Sequence, residues 1–399
     1  MSKNCSTLYA EYLEKVVPSL RLKTIIRREI RDGHFRVKPR ILVLISESRG
    51  RTDYVRLVCP VMMNEAMDDT ATFCIPKLIY GSATSPTISE RVFKYFNLSI
   101  LVSREKIDDV SFRSLKRLKR AHPEIPIIVD IDDDLFAIDN SHPEYNYYKA
   151  RLATLKELIE LSDSVVASTN KVLDGIKNAG CIPNDATVIP NFLDSRLWGP
   201  ANCTTPSHHN SDNETIRILY SGTETHDADL RLLQEPLKRA IKRVRAATGK
   251  KLSMTVVGGS STKIPGMEII RVPDEKRDYP LYAEWVQSMP RFDFAVAPLD
   301  LSNKLNHAKS YLKYLEYSAM GLPSIFTRIE PYEQVVDNGV NGILVSDNST
   351  KEWEDAIFSL SVDNERRYNM SLKCREDVLS NHLLRNHYGE WAHLITRLT

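Results

Sequence analysis

The sequence predicts an α/β chain built as two Rossmann-like domains, each a parallel sheet covered by helices. Three observations carry that expectation. Short apolar runs alternate with stretches of helical period, which is the pattern βαβ units produce. At 399 residues the chain is long enough for two full cores. Between Gly199 and Thr215 the composition falls to Gly, Pro, Asn, Thr, Ser and His with little that is apolar, so one α/β half ends and a second begins.

Composition narrows the function. A net charge of +2 argues against an electrostatic nucleic-acid binder. No run approaches 18 apolar residues, and the N-terminus lacks a signal-peptide core. Six cysteines (Cys5, Cys59, Cys74, Cys181, Cys203, Cys374) form no C-x-x-C pair, and free thiols in a reducing cytoplasm are expected.

Residues 1–38 interleave Arg21, Lys23, Arg27, Arg28 and Arg31 with Leu20, Leu22, Ile25, Ile26 and Ile30, a basic helical segment. Two placements compete: docking on the first domain with the basic face in water, and peripheral contact with an anionic membrane.

The first domain, 39–199, opens on the apolar strand Arg40 to Ser46, then a loop with Arg49 and Arg51 and a helix from about Tyr54 to Met67 that carries Arg56. The loop after a first strand faces the cleft of such a sheet, so these arginines are candidates for an anionic substrate; an ordinary exposed loop is the alternative. Without G-x-G-x-x-G it is not a dinucleotide fingerprint. A strand at Leu98–Ser103 and a basic helix at Ser111–Ala121 lead to an apolar strand that delivers Asp130, Asp132, Asp133 and Asp134. Four adjacent carboxylates repel and need a task or full solvation. His142 follows in a polar loop. A helix over about Tyr147–Leu161, a strand Asp163–Thr169, a helix capped near Asn170 and a strand and turn at Thr187–Asp194 complete the half. His208 and His209 fall in the linker, 200–215, and are expected to be solvated.

The second domain, 216–382, restarts with a strand Ile216–Ser221, the loop Gly222-Thr223-Glu224-Thr225-His226 and a helix over Asp227–Ala247. A strand Leu252–Val257 ends in Gly258-Gly259, where the backbone can approach a ligand. Short extended and helical stretches follow at 268–272 and 280–288. A buried strand, Phe292–Leu299, then leads to the stretch from Asn306 to Met320, read as one helix. Ala308, Tyr311, Leu312, Leu315 and Ala319 make its apolar face, and Lys309, Lys313 and Glu316 share a second face. Gly321 and Pro323 stop it before a strand to Thr327. A helix N-terminus with two lysines suits a diphosphate, and a carboxylate further along suits the vicinal diol of a ribose. A solvated salt-bridged face, worth a few tenths of a kcal/mol, is the alternative. Residues 342–345, helices near 350–361 and 363–380, and a helical tail over 383–399 finish the chain.

The run Asn306-x-x-Lys309-Ser310-x-x-Lys313-x-x-Glu316-Tyr317-x-Ala319-x-Gly321-x-Pro323 resembles the donor-site segment of retaining, family-4-like (group 1) glycosyltransferases of the GT-B fold, bacterial polysaccharide-type branch. Ser168-Thr169 and Ile189-Pro190-Asn191-x-x-Asp194 are similar to segments that close the first domain there. The resemblance implies two Rossmann-like domains facing a central cleft. It places a nucleotide diphosphate sugar on the second domain, at Gly222, Thr223, His226, Asn306, Lys309, Ser310, Lys313 and Glu316, and a glycan or lipid-linked acceptor on the first, at Arg49, Arg51, Arg56 and His142. The final helix is expected to cross back to the first domain. Lys309, Asp132 and Asp133 are the catalytic candidates, with no metal and no cofactor required. Two departures stand out: the loop Gly222–Asp229 lacks the Arg and Lys most members carry, and Ala308 stands where many have a first Glu. For the aspartates two other tasks remain, a D-x-D metal site and the Asp130-x-Asp132 nucleophile of a Mg-dependent haloacid-dehalogenase-like phosphatase. A non-catalytic sugar-nucleotide or glycan-binding subunit is the third class. The expected setting is cytoplasmic, with a peripheral place at the inner face of a membrane as the alternative, in surface polysaccharide synthesis.

Overall fold

The computed structural model describes residues 40–45, 51–68, 71–75, 98–104, 109–200 and 214–398. The basic segment 1–38, Arg49 and the histidine pair of the linker lie outside them. Two six-stranded sheets organise the rest, and every strand pair is parallel. The first contains β1 (Arg40–Leu44), β2 (Ala71–Ile75), β3 (Leu98–Ser103), β4 (Ile127–Ile131), β5 (Ser164–Ala167) and β6 (Ala186–Val188), in the order β2-β1-β3-β4-β5-β6. The second contains β7 (Thr215–Gly222), β8 (Lys251–Gly258), β9 (Met267–Ile270), β10 (Phe294–Ala297), β11 (Ser324–Thr327) and β12 (Ile343–Val345), in the order β12-β11-β10-β7-β8-β9. The α/β class expected from the alternating runs is observed. β4 and β10 are buried at every residue because helices cover both faces, and such strands read as unbroken apolar runs.

In the second sheet the strand order reverses between β7 and β10, so the chain departs in opposite directions from their carboxyl ends and leaves a crevice there. The first sheet has its own reversal between β2 and β3, on either side of β1. The helix after β1 (α1) runs through Arg51–Asp53, a π-helical turn at Tyr54–Val58, and Cys59–Asp68. Such a turn inserts a residue into the helical ladder and re-aims side chains; Arg56 lies within it and Arg51 in the turn before it.

The C-terminal helix (α2, Tyr388–Leu398) returns to the first domain. Leu193 N–H donates to His382 O at 3.0 Å, and Leu384 N–H donates to Leu193 O at 2.8 Å. Phe192 stacks on His387 at 4.0 Å, and Trp391 lies under the Arg56 guanidinium at 5.7 Å. Trp391, Leu394 and Ile395 join Val58, Val61 and Met62 in one buried cluster.

Several boundaries differ from the sequence expectation. β2 was not expected; it is a five-residue edge strand with little room for a periodic signal. The helix expected over Tyr147–Leu161 is two, Tyr145–Lys149 and Leu152–Leu161. The one expected over Asp227–Ala247 is Asp227–Arg231 and Gln234–Thr248. The helix expected from Asn306 is Lys304–His307 followed, after a break, by α3 (Leu312–Ala319). Side chains hold that break open. Thr169 Oγ1 donates to Ala308 O at 3.1 Å, and Asn191 Nδ2 donates to Ser310 Oγ at 2.7 Å. Lys309 therefore stands in the loop before α3, not on its face. Among the described residues Cys59, Cys181 and Cys374 are buried free thiols, and no helix is long and apolar enough to cross a membrane.

Candidate active site

A cleft of about 650 Å³ opens at the carboxyl ends of β7 and β8. Gly222 to His226, Val257 to Gly259, Tyr279, Tyr282 and Lys313 line it from the second domain, and Arg51 lines it from the first. The glycines are a steric requirement. Gly258 has φ +119°, and a Cβ there would stand 2.2 Å from Gly222 O, so only glycine lets these two strand ends meet.

Glu316 is 2% exposed beside this cleft. Its Oε1 accepts the Tyr279 hydroxyl at 2.8 Å and lies 3.4 Å from Arg51 Nε. Tyr282 OH and Ser221 Oγ are 2.6 Å apart, and Ser221 N–H donates to Tyr317 OH at 2.8 Å. Lys313 Nζ reaches 3.4 Å from Tyr220 OH and sits 4.5 Å from that ring's centre. Burial pushes the Lys313 ammonium down to about 7; the charge of Asp229 opposes this, and those of Lys309 and Arg51 add to it. Burial likewise pushes His226 down to about 4, helped by Lys313 and Lys309, so the imidazole is neutral at pH 7. Its Nδ1 lies 3.1 Å from Asp229 Oδ2.

Across the cleft the aspartates divide between two arginines. Arg56 grips Asp130, with NH2 at 2.6 Å and Nε at 3.1 Å from Oδ1. Arg104, next after β3, stands 2.5 Å from Asp132 Oδ1 through Nε and 3.2 Å from Asp133 Oδ2 through NH2. Burial pushes Asp132 up to about 7; Arg104 opposes, and the charges of Asp133 and Asp130 reinforce it. Burial alone would raise Asp133 too, but Lys309 and Arg104 outweigh it and hold that carboxyl below its usual range. Lys309 Nζ lies 4.0 Å from Asp133 Oδ1, so the two domains meet here in an ion pair. His142 is close enough to feel both charges, although burial is what chiefly lowers its pKa. Asp134 instead caps the next turn, accepting from Phe136 N–H at 3.1 Å, packed so close to Gly175 that a Cβ there would stand 2.2 Å from its Oδ2.

Thus Gly222, Thr223, His226, Lys313 and Arg51 gather at the cleft, with Glu316 behind Arg51 and with Lys309, Asp133 and His142 at a second focus. Three expected residues point elsewhere. Arg56 is 2% exposed, and its fork is taken by Asp130, Ile189 O and Asn191, so it presents nothing to an acceptor. Asn306 is 1% exposed and pins the chain, donating through Nδ2 to Asp229 Oδ1 and Asp300 O. Ser310 turns to Asn191. Asp130, sealed by Arg56, offers no free oxygen for phosphatase chemistry. Among the described residues no three His, Cys, Asp or Glu side chains converge as a metal-holding group. Sequence inspection passed over Arg104, Tyr279 and Tyr282. A charged residue closing an apolar strand was the available signal for Arg104; the tyrosines, three apart on a helix, read as core.

Residues 218–363 match the family model described as glycosyl transferases group 1. The match takes in most of β7, the whole run to β12, and every second-domain residue of the cleft. The likeness to that family therefore lies in the second domain. No curated protein matches the chain in sequence. Among solved structures, sucrose-phosphate synthase from Thermosynechococcus elongatus is similar over 90% of this chain and 99% of its own, at TM-score 0.58 and 15% identity. HepE from Anabaena, solved with UDP and glucose, is similar over 89% and 99%, at TM-score 0.59 and 13% identity. TarM is similar over 75% of this chain at TM-score 0.51 and 13% identity, and the chain covers 55% of TarM's length. At such identities the likeness establishes the fold, and both sheets belong to the GT-B architecture.

Proposed function

We propose that the protein transfers a sugar from a nucleoside diphosphate sugar to a glycan or lipid-linked acceptor, with retention and without a metal, in surface polysaccharide synthesis. The observation that carries this is Lys313 in a cleft at the carboxyl ends of β7 and β8, with buried Glu316 beside it and Lys309 at the adjoining focus, within the segment that matches the group 1 glycosyltransferase model. The diphosphate lies against Lys309 and Lys313, and Glu316 accepts from the ribose hydroxyls. The bond from the anomeric carbon to the diphosphate oxygen breaks and a bond to the acceptor oxygen forms. The pair of electrons departs with the diphosphate, where fixed positive charge stabilises it; such preorganised contacts typically contribute about 3–4 kcal/mol each. The acceptor hydroxyl approaches from the side of Asp132, Asp133 and His142 and gives up its proton there or to the leaving phosphate. The chain works in the cytoplasm, and the basic segment 1–38 suits contact with an anionic membrane face.

Thermal unfolding with UDP, GDP, dTDP, CDP and ADP, each with Mg²⁺ and with EDTA, tests the donor site. A hundredfold excess over Kd adds about 2.7 kcal/mol, roughly 5–10 °C for a domain of this size. A selective shift that survives EDTA is expected. No shift with any of the five sinks the proposal, and the anomeric proton coupling of the product decides retention.

A further inference from the structure

Arg51 belongs to the first domain, yet among the described residues its side chain meets the second. Its Nε lies 3.4 Å from Glu316 Oε1, and its guanidinium carbon lies 5.1 Å from the Tyr282 ring centre and 6.0 Å from that of Tyr279. The Arg51 side chain is 30% exposed against 3% for that of Glu316, so the arginine has the freedom to leave and the carboxylate does not. It lines the cleft with Lys313, Gly222 and Thr223. The second domain's loop from Gly222 to Asp229 contains no arginine or lysine. That domain's cations lining the cleft are Lys313, Arg271 and Arg277, and the two arginines are 81% and 71% exposed and turned toward Glu224 and Asp274. Positive charge is nevertheless dense there: Lys309 and Arg51 both weigh on the Lys313 ammonium.

These contacts set up a competition. Glu316 Oε1 already carries the Tyr279 hydroxyl, and a diol approaching this carboxylate meets the Arg51 guanidinium on the open side. A planar guanidinium freed from a carboxylate finds an equivalent partner in a phosphate, whose oxygens match its fork.

Resting on the nucleotide-sugar reading, we propose that Arg51 is a cross-domain ligand of the donor's diphosphate, released to that task when the ribose takes its place at Glu316. The acceptor role expected for Arg51 is thereby replaced by a donor role. Because Arg51 stands on the first domain, the exchange couples donor binding to the geometry between the domains.

The exchange gives opposite signs for two probes. A nucleoside must expel Arg51 and offers it nothing in return, whereas a nucleoside diphosphate or pyrophosphate supplies a new partner. Calorimetric titration of the full chain, of Arg51→Met and of Arg51→Lys would use pyrophosphate, the five nucleoside diphosphates named above and their parent nucleosides. In Arg51→Met the nucleoside is expected to bind about threefold or more tighter, and the diphosphate and pyrophosphate about tenfold or more weaker. Arg51→Lys, which keeps the charge without the fork, falls between and guards against a folding artefact. Nucleotides held equally by wild type and Arg51→Met, or nucleoside and diphosphate moving in one direction, would overturn the proposal while the donor reading stands. Pyrophosphate binding that depends on Arg51, in a chain that binds none of the nucleotides, supports Arg51 as the anion ligand and overturns the donor reading instead.

Discussion

Asn191 ties Arg56 of its own domain to Ser310 of the other through one amide: Nδ2 donates to Ser310 Oγ at 2.7 Å, and Oδ1 accepts from Arg56 NH1 at 3.1 Å. Ser310 follows Lys309 directly, so this amide fixes the loop that carries the proposed leaving-group cation. Asn191→Ala should cost about 1–3 kcal/mol in urea unfolding, the usual effect of orphaning buried hydrogen-bond partners. It should also raise the KM for the sugar donor. Ser310→Ala removes only the cross-domain bond, and should reproduce the KM change with less loss of stability. A Ser310→Ala enzyme of wild-type KM would show that Lys309 is held by other contacts.

Arg56 and Arg51, five residues apart, should respond to substitution in different ways. Arg56→Met leaves Asp130 buried without its partner, and breaking a buried pair from one side costs about 3–5 kcal/mol. The expected outcome is a large fall in urea midpoint. A marginal stability change would mean that Asp130 is protonated in the native state, consistent with the upward push that burial gives it.

Lys309→Ala should remain folded, because the ion pair to Asp133 is long and partly exposed. Transfer activity should nevertheless drop about 10²–10³-fold in kcat, the loss seen when one preorganised donor is removed from a developing negative charge. Near-normal turnover would remove Lys309 from the site.

The pH response follows from Lys313. Its folded-state value of about 7 lies below the ordinary 10.5, so between those values the unfolded chain binds the extra proton. This group alone therefore makes the fold more stable as pH rises from about 7 to 10.5, and Lys313→Met should flatten that part of the stability profile. Donor binding runs the other way. A diphosphate prefers the ammonium, so above pH 7 its binding takes up a proton. Affinity should then fall by up to about tenfold per pH unit in the wild type. Titration calorimetry at pH 8 in buffers of different ionisation enthalpy measures that uptake, and no difference between buffers would exclude Lys313 as a phosphate ligand.

Much of this architecture was written in local pattern. β4 and β10 announced themselves as apolar runs because both faces are covered, and the Lys313–Glu316 face followed from helical spacing. The break before α3 did not show, since Ala308 and Tyr311 are as buried in the loop as they would be on a helix. Its causes, Thr169 and Asn191, lie 139 and 119 residues away from the groups they hold. The aspartate cluster was legible as a cluster, but its division was not. Asp130 and Asp133 are claimed by arginines 74 and 29 residues distant, and nothing local ranks one carboxylate as structural and its neighbour as accessible. Arg51 and Arg56 looked alike for the same reason.

The return of α2 to the first domain has a consequence for how the protein is made. Trp391, Leu394 and Ile395 complete the apolar packing around Val58, Val61 and Met62, yet they leave the ribosome only after the entire second domain has been synthesised. The half that is translated first is therefore finished last. Until then its α1 surface is an open apolar face waiting for a segment more than 300 residues downstream. A nascent chain stalled before residue 388 would hold a second domain able to close its own core beside a first domain that cannot. Quality control in the cell would see damage at the C-terminus as exposure of the N-terminal half.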